Sequence, residues 1–229
     1  MRKTRIGLLV LTLFVGLTGC ITIEEQYSFK KNGSGTMTYV LDMSEMGEML
    51  KSFNDGKEKE DDGTGDMNIT GHADALKTIS GISKVKLDTK TKWVQKLSFT
   101  FADIGSLNRA LNTLMPDSAR PDHEFFKWEN GTLVRRSNNF IHSMSSAMAS
   151  EAASEDGGDD GEESGFDMSS MLGMMKYKYS FKFQQPITTE SSSAMTKEGG
   201  SKDVKLSTDW AAIAKDPTAL DLRIAVGAK

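Results

Sequence analysis

Ile21-Thr-Ile-Glu-Glu-Gln-Tyr27-Ser-Phe29-Lys-Lys-Asn32-Gly33-Ser-Gly-Thr-Met37-Thr-Tyr39-Val-Leu41-Asp-Met43 reads as a strand, a turn and a second strand. Ile21, Ile23, Tyr27 and Phe29 recur at every second position or a multiple of it, and after Asn32-Gly33 the alternation resumes at Met37, Tyr39, Leu41 and Met43. A period of two puts these side chains on one face of a pleated strand. Asn-Gly between two such runs is a strong hairpin signal, because both residues tolerate positive φ.

The same signals recur downstream. Val85 and Leu87, then Leu97, Phe99 and Phe101, alternate around a polar turn at 88–92, and a third hairpin centres on Asn130-Gly131 between Phe126-Trp128 and Leu133-Arg135. Helical spacing appears at Met46, Met49, Leu50 and Phe53, with Asp42 or Ser44 as cap, and in a shorter stretch over 73–79. Asp103 opens a helix with Ile104, Leu107, Leu111 and Leu114 on one face, stopped at Pro116. Phe140, Ile141, Met144 and Met148 mark another helix, and Met168, Met171, Leu172 and Met175 a short one before the strand of Tyr177, Tyr179, Phe181 and Phe183. A short strand at 204–206, a helix near 210–213 and a last strand with Leu222, Ile224 and Val226 close the chain. Hairpins interleaved with helices predict an α+β domain: a mainly antiparallel sheet with helices on one face, the other face being polar or lining a groove.

Upstream of the hairpin the pattern changes. Arg2, Lys3 and Arg5 precede an apolar run from Ile6 to Leu17, the order of an export signal. The run is too short to span a hydrocarbon core of about 30 Å at 1.5 Å per residue. It ends Leu17-Thr18-Gly19-Cys20, an aliphatic residue, two small ones and a cysteine, which resembles the lipobox of bacterial lipoproteins. That resemblance implies cleavage after residue 19 and transfer of a diacylglyceryl group to the Cys20 sulfur. Cys20 is the chain's single cysteine, so no disulfide staples the mature protein. Residues 1–19 are thus read as signal peptide and 20–229 as one α+β domain tethered to a membrane by lipid. Ile21 stands where an inner-membrane lipoprotein would carry Asp, which favours the outer membrane. Glu24-Glu25 close behind resembles a short acidic surface-export signal.

Removing Arg2, Lys3 and Arg5 takes the net charge from −4 to −7, which argues against nucleic-acid partners. Two stretches near 54–66 and 151–165 are almost wholly acidic or small and are expected to be disordered loops, and a softer Ser/Thr/Gly break runs from Thr188 to Ser201.

Few residue patterns carry chemistry. His72, His123 and His142 are scattered and read as isolated surface histidines, and without cysteine the usual zinc sets are missing. Gly33-Ser34-Gly35 belongs to a hairpin rather than to a nucleophile elbow. Asp62 to Asn68 alternates oxygen ligands but lacks the turn glycine and the closing Glu of a calcium loop, Ala73 standing in the latter place. Fourteen methionines, Met1 included, suit adaptable packing better than copper ligation. No catalytic set, metal or cofactor is therefore expected. The reading is a non-catalytic envelope lipoprotein that binds an amphiphilic ligand or an envelope protein partner through a Met- and aromatic-rich surface. The alternative is an envelope enzyme built on carboxylates that sequence alone cannot align.

The segment Tyr27-Ser-Phe-Lys-Lys-Asn-Gly-Ser-Gly-Thr-Met-Thr-Tyr39, directly after an acylatable cysteine, resembles uncharacterised bacterial envelope lipoproteins and the LppM-type lipoprotein domain. The latter resemblance implies an α+β fold associated with lipid or small-ligand binding.

Overall fold

The computed structural model of the chain describes residues 21–53, 69–155, 172–192 and 196–227. The opening hairpin forms as β1 (Thr22–Phe29) and β2 (Gly35–Asp42), paired from Thr22↔Asp42 to Phe29↔Gly35. In its turn Gly33 takes positive φ (80°), whereas Asn32 caps the loop by accepting from the Ser34 amide and hydroxyl at 3.2 and 2.8 Å. At the third hairpin both Asn130 and Gly131 adopt positive φ, the two-residue turn whose twist matches the strands.

After β2 come α1 (Ser44–Phe53), α2 (His72–Lys77), β3 (Ile82–Asp88), β4 (Val94–Phe101) and α3 (Ile104–Leu114). Then follow β5 (Phe126–Glu129), β6 (Thr132–Arg135), α4 (Phe140–Glu155), β7 (Lys176–Phe183), β8 (Ile187–Ser192) and β9 (Thr196–Gly199). The chain closes with β10 (Asp203–Asp209), α5 (Trp210–Lys215) and β11 (Leu222–Val226). Asp42 starts α1 by accepting from the Ser44 amide at 3.0 Å and its hydroxyl at 2.6 Å.

The fold class is α+β, as the hairpins imply, but the strands divide into two sheets rather than one. The larger runs β3-β4-β2-β1-β7-β10-β9 and the smaller β5-β6-β11-β8. Every pair is antiparallel except β1–β7, which run parallel from Thr22↔Lys176 to Phe29↔Phe183. The partners in that pairing are 154 residues apart in sequence, beyond the reach of any local pattern. Inward residues of both sheets share one core: Tyr27 stacks on Phe181 at 5.1 Å and meets Phe126 of the small sheet edge-on at 4.9 Å. Outward positions of the large sheet such as Gln26, Ser28, Thr36 and Lys182 are exposed, the polar face expected from the alternation.

The break expected at Thr188–Ser201 instead supplies β8 and β9. Thr and Ser suit an edge strand when a neighbour offers its backbone, and β8 pairs with β11. The acidic loop expected over 54–66 and the calcium-like stretch lie outside the described residues. Of 151–165, the first five residues complete α4 and the rest lie outside. Met168 and Met171 also lie outside, while 172–174 form one helical turn.

Helix α3 illustrates local control. Leu107, Ala110, Leu111 and Leu114 are buried on its apolar stripe. Asp103 accepts from the Ser106 amide at 2.6 Å, and the Ser106 hydroxyl accepts from the Asp103 amide at 3.2 Å. The bond from the Ser106 amide is the largest cause holding the Asp103 carboxyl below its ordinary pKa. A depressed folded-state pKa stabilises above the unfolded carboxylate pKa, near 4, and the gain is lost as pH falls through the folded value. Asp103→Ala should therefore lower stability by about 1 kcal/mol at neutral pH. Urea unfolding followed at pH 7 and pH 3 should show the gap between the two proteins narrowing in acid; a gap independent of pH would contradict this account.

Candidate functional site

The period-two alternation of β1 carries one charged residue inward. Glu25 falls between Ile23 and Tyr27 on the core face and is fully buried. Facing it from the small sheet is Arg135, the last residue of β6 and 1% exposed. Arg135 Nη2 donates to Glu25 Oε1 and Oε2 at 3.0 and 3.1 Å. Tyr27 Oη donates to Oε2 and Tyr177 Oη to Oε1. The other guanidinium amine, Nη1, donates to Ser137 Oγ at 2.5 Å. The guanidinium lies over the Tyr179 ring at 4.5 Å, and the Tyr179 hydroxyl and Arg135 Nε are buried without hydrogen bonds.

Burial and then the Glu25 charge raise the pKa of the Tyr27 and Tyr177 hydroxyls, so both remain neutral donors. Burial likewise raises Tyr39, with Glu25 adding to it. For Arg135 burial opposes the charge, but Glu25 and the surrounding tyrosines outweigh it and hold the proton more tightly than usual. Both side chains of the ion pair have zero exposure, and both carboxylate oxygens are occupied by donors within the cluster. A general acid or base must reach its substrate. This cluster cannot, and it works as a polar clamp between the two sheets.

Of the Glu24-Glu25 pair noted in the sequence, Glu25 is thus a core residue of the folded domain. Among the described residues Glu25 is the one buried acid, and its charged partner is an arginine rather than a second carboxylate. The carboxylate enzyme therefore gains no buried acid pair from the described residues. Also among them, no group of three or more His, Cys, Asp or Glu could hold a metal, and no helix is long and apolar enough to cross a membrane. The histidines are not all simple surface groups: half-buried His123 Nε2 lies 3.0 Å from the Arg136 carbonyl, and His142 Nδ1 lies 2.7 Å from that of Ile213. Leu17, Thr18, Gly19 and Cys20 lie outside the described residues.

The expected Met- and aromatic-rich surface is also different in kind. Met37, Met43, Met115 and Met175 are core residues, and among the described residues the exposed large hydrophobics are Leu87 and Met174. Aromatic surface is instead reached through a cleft of about 400 Å³ where the two sheets part. The turn after β1, the turn between β5 and β6, and the link from β7 to β8 converge there. Phe29, Phe183 and Trp128 form its apolar floor; Lys30, Lys31 and Gln184 form its rim. Phe29 packs on Phe183 at 5.6 Å and on Trp128 at 6.3 Å, and the Lys31 amide donates to Gln184 Oε1 at 3.2 Å, tying two rim segments together. Seven strand steps of about 3.3 Å put this cleft some 23 Å along β1 from Thr22. A second groove of about 490 Å³ beside Arg136, Arg223 and Ser191 lacks an aromatic floor, and Arg223 already pairs with Glu129 at 3.2 Å.

No protein-family model matches the chain, and none of the curated proteins compared with it does. Its backbone is similar to the NMR structure of the folded domain of LppM from Mycobacterium tuberculosis. The two share 11% identity over 93% of each chain, with a TM-score of 0.42.

Proposed function

We propose that the chain is an exported, lipid-anchored protein of the bacterial envelope that binds an amphiphilic ligand without transforming it. The cleft carries this reading: an aromatic floor with two lysines and a glutamine at its lip suits an apolar chain or ring joined to an anionic head. Its volume falls in the range of small-ligand sites. The anchor rests on the lipobox Leu17-Thr18-Gly19-Cys20 and on Cys20 being the single cysteine. Several acyl chains on one cysteine hold a protein to a membrane far more firmly than one. Ile21 in the place of Asp supports the outer membrane.

The test has two arms. Cells fed labelled palmitate should label the original protein and leave Cys20→Ser unlabelled; label on the variant would refute lipidation at that sulfur. Monomeric dodecyl phosphate, titrated calorimetrically against the purified protein, should bind saturably, and Lys30→Ala/Lys31→Ala should weaken binding about tenfold, the loss of a partly screened charge contact or two. Equal affinity in both proteins, or no saturable heat, would defeat the cleft as the binding site. Capture of an envelope protein that dodecyl phosphate cannot displace would favour a protein partner instead.

A further inference from the structure

We infer that the domain stands end-on to its membrane, with the start of β1 at the lipid headgroups and the cleft pointing away. This inference rests on the lipid anchor proposed above and adds the orientation that the anchor imposes. Only Ile21 separates Cys20 from β1, and Ile21 already belongs to the fold: its side chain is 2% exposed and its carbonyl accepts from the Lys176 amide at 2.8 Å. One peptide step spans about 3.8 Å between α-carbons. A sulfur joined to a diacylglyceryl group at the membrane surface therefore holds Ile21 within a few ångströms of the headgroups, with no linker to let the domain turn.

The residues at that end fit the contact. Met174, two positions before Lys176 and thus beside the start of β1, is 44% exposed, one of two exposed large hydrophobics among the described residues. Lys92 is exposed at the same end, its ammonium 5.4 Å over the ring of Trp93, which is itself half-buried against Gly47 of α1 and anchors this end by its carbonyl accepting from the Met43 amide at 2.9 Å. Long cationic side chains such as Lys92 are favoured at the headgroup level, where the stem lies on apolar surface and the ammonium reaches water. Asp42 and Glu45 share this end, so the contact is an apolar rim near a tether and not a basic patch seeking anionic lipid. The other end of β1, carrying the cleft, lies about 23 Å further out. A ligand would thus enter from the aqueous side rather than directly from the anchoring leaflet.

The test uses the full chain, extracted from membranes after processing and reconstituted in phosphatidylcholine vesicles containing a headgroup-spin-labelled phosphatidylcholine. Because the acylated Cys20 has no free thiol, a fluorophore attaches only at an introduced cysteine, Met174→Cys or Lys31→Cys. Quenching is expected at 174, and none above that of vesicles without spin label at 31. Inserting about twelve Gly/Ser residues after Cys20, a spacer of roughly 20 Å, should abolish quenching at 174. Equal quenching at both positions, quenching at neither, or quenching at 174 that survives the spacer would overturn the tethered orientation. The intact mass of the mature N-terminus is read on the same samples: a missing acyl group would sink the lipoprotein reading itself, whereas an acylated protein lacking the quenching pattern would sink the orientation alone.

Discussion

Arg135→Met is expected to lower stability by about 3–5 kcal/mol, because it leaves the Glu25 carboxylate buried without its countercharge. Glu25 has zero side-chain exposure and would keep the Tyr27 and Tyr177 hydroxyls as its remaining donors. Two neutral hydrogen bonds do not replace a guanidinium that reaches both carboxylate oxygens at 3.0 and 3.1 Å. The partner substitution separates the charge from the packing. In Glu25→Leu/Arg135→Met neither charge is buried, and much of the lost stability should return, reduced by about 1 kcal/mol or more for each tyrosine hydroxyl left without an acceptor. Urea unfolding of the four proteins completes a double-mutant cycle, with a coupling of several kcal/mol expected. A single substitution costing under 1 kcal/mol, or a double variant no better than the single, would show that the pair does not clamp the sheets.

Gly35→Ala should be nearly as damaging for a different reason. Gly35 opens β2 opposite Phe29, with Phe101 on its other side. A Cβ there would sit 2.1 Å from the Ser28 carbonyl oxygen and 2.6 Å from Phe101 Cζ. The phenyl ring has some freedom, but the carbonyl belongs to the paired backbone of β1 and cannot yield without breaking the hairpin. We expect a loss of about 3 kcal/mol, the upper part of the overpacking range. Gly173→Ala supplies the control, since a Cβ there meets nothing within 4 Å and should change stability by no more than about 0.5 kcal/mol. The midpoint in urea should move without a change of slope. Equal stability at 35 and 173 would contradict the close approach.

The buried clamp was legible in part. In β1 the odd positions run Ile21, Ile23, Glu25, Tyr27, Phe29, so the period that marks the core face also carries Glu25 into it, and in β6 it carries Arg135 in beside Leu133. Reading only the apolar members of each alternation hides both, since a lone carboxylate on a core face looks like an interruption until its partner is known. The partner lies 110 residues away on another sheet. In the Thr188–Ser201 stretch β8 failed as a strand signal for a related reason, since its partner β11 comes some thirty residues later, whereas β9 pairs with the adjacent β10 through backbone atoms that its polar side chains do not announce.

The cleft was not legible in this way. Its floor joins Phe29, Trp128 and Phe183, each of which reads locally as an ordinary strand residue, and its rim includes hairpin residues that read as turn chemistry. Local interactions along the chain determined the three hairpins, the capped start of α3, the polar outer face of the large sheet and the chemistry available at Cys20, because side-chain alternation, turn φ values and cap hydrogen bonds are all settled within about ten residues. The division into two sheets, the parallel β1–β7 pair, the Glu25–Arg135 clamp and the opening between Phe29, Trp128 and Phe183 were decided only by the tertiary structure. Each depends on which distant strands come to share a core, and that follows from the best joint burial of the whole chain rather than from any segment of it.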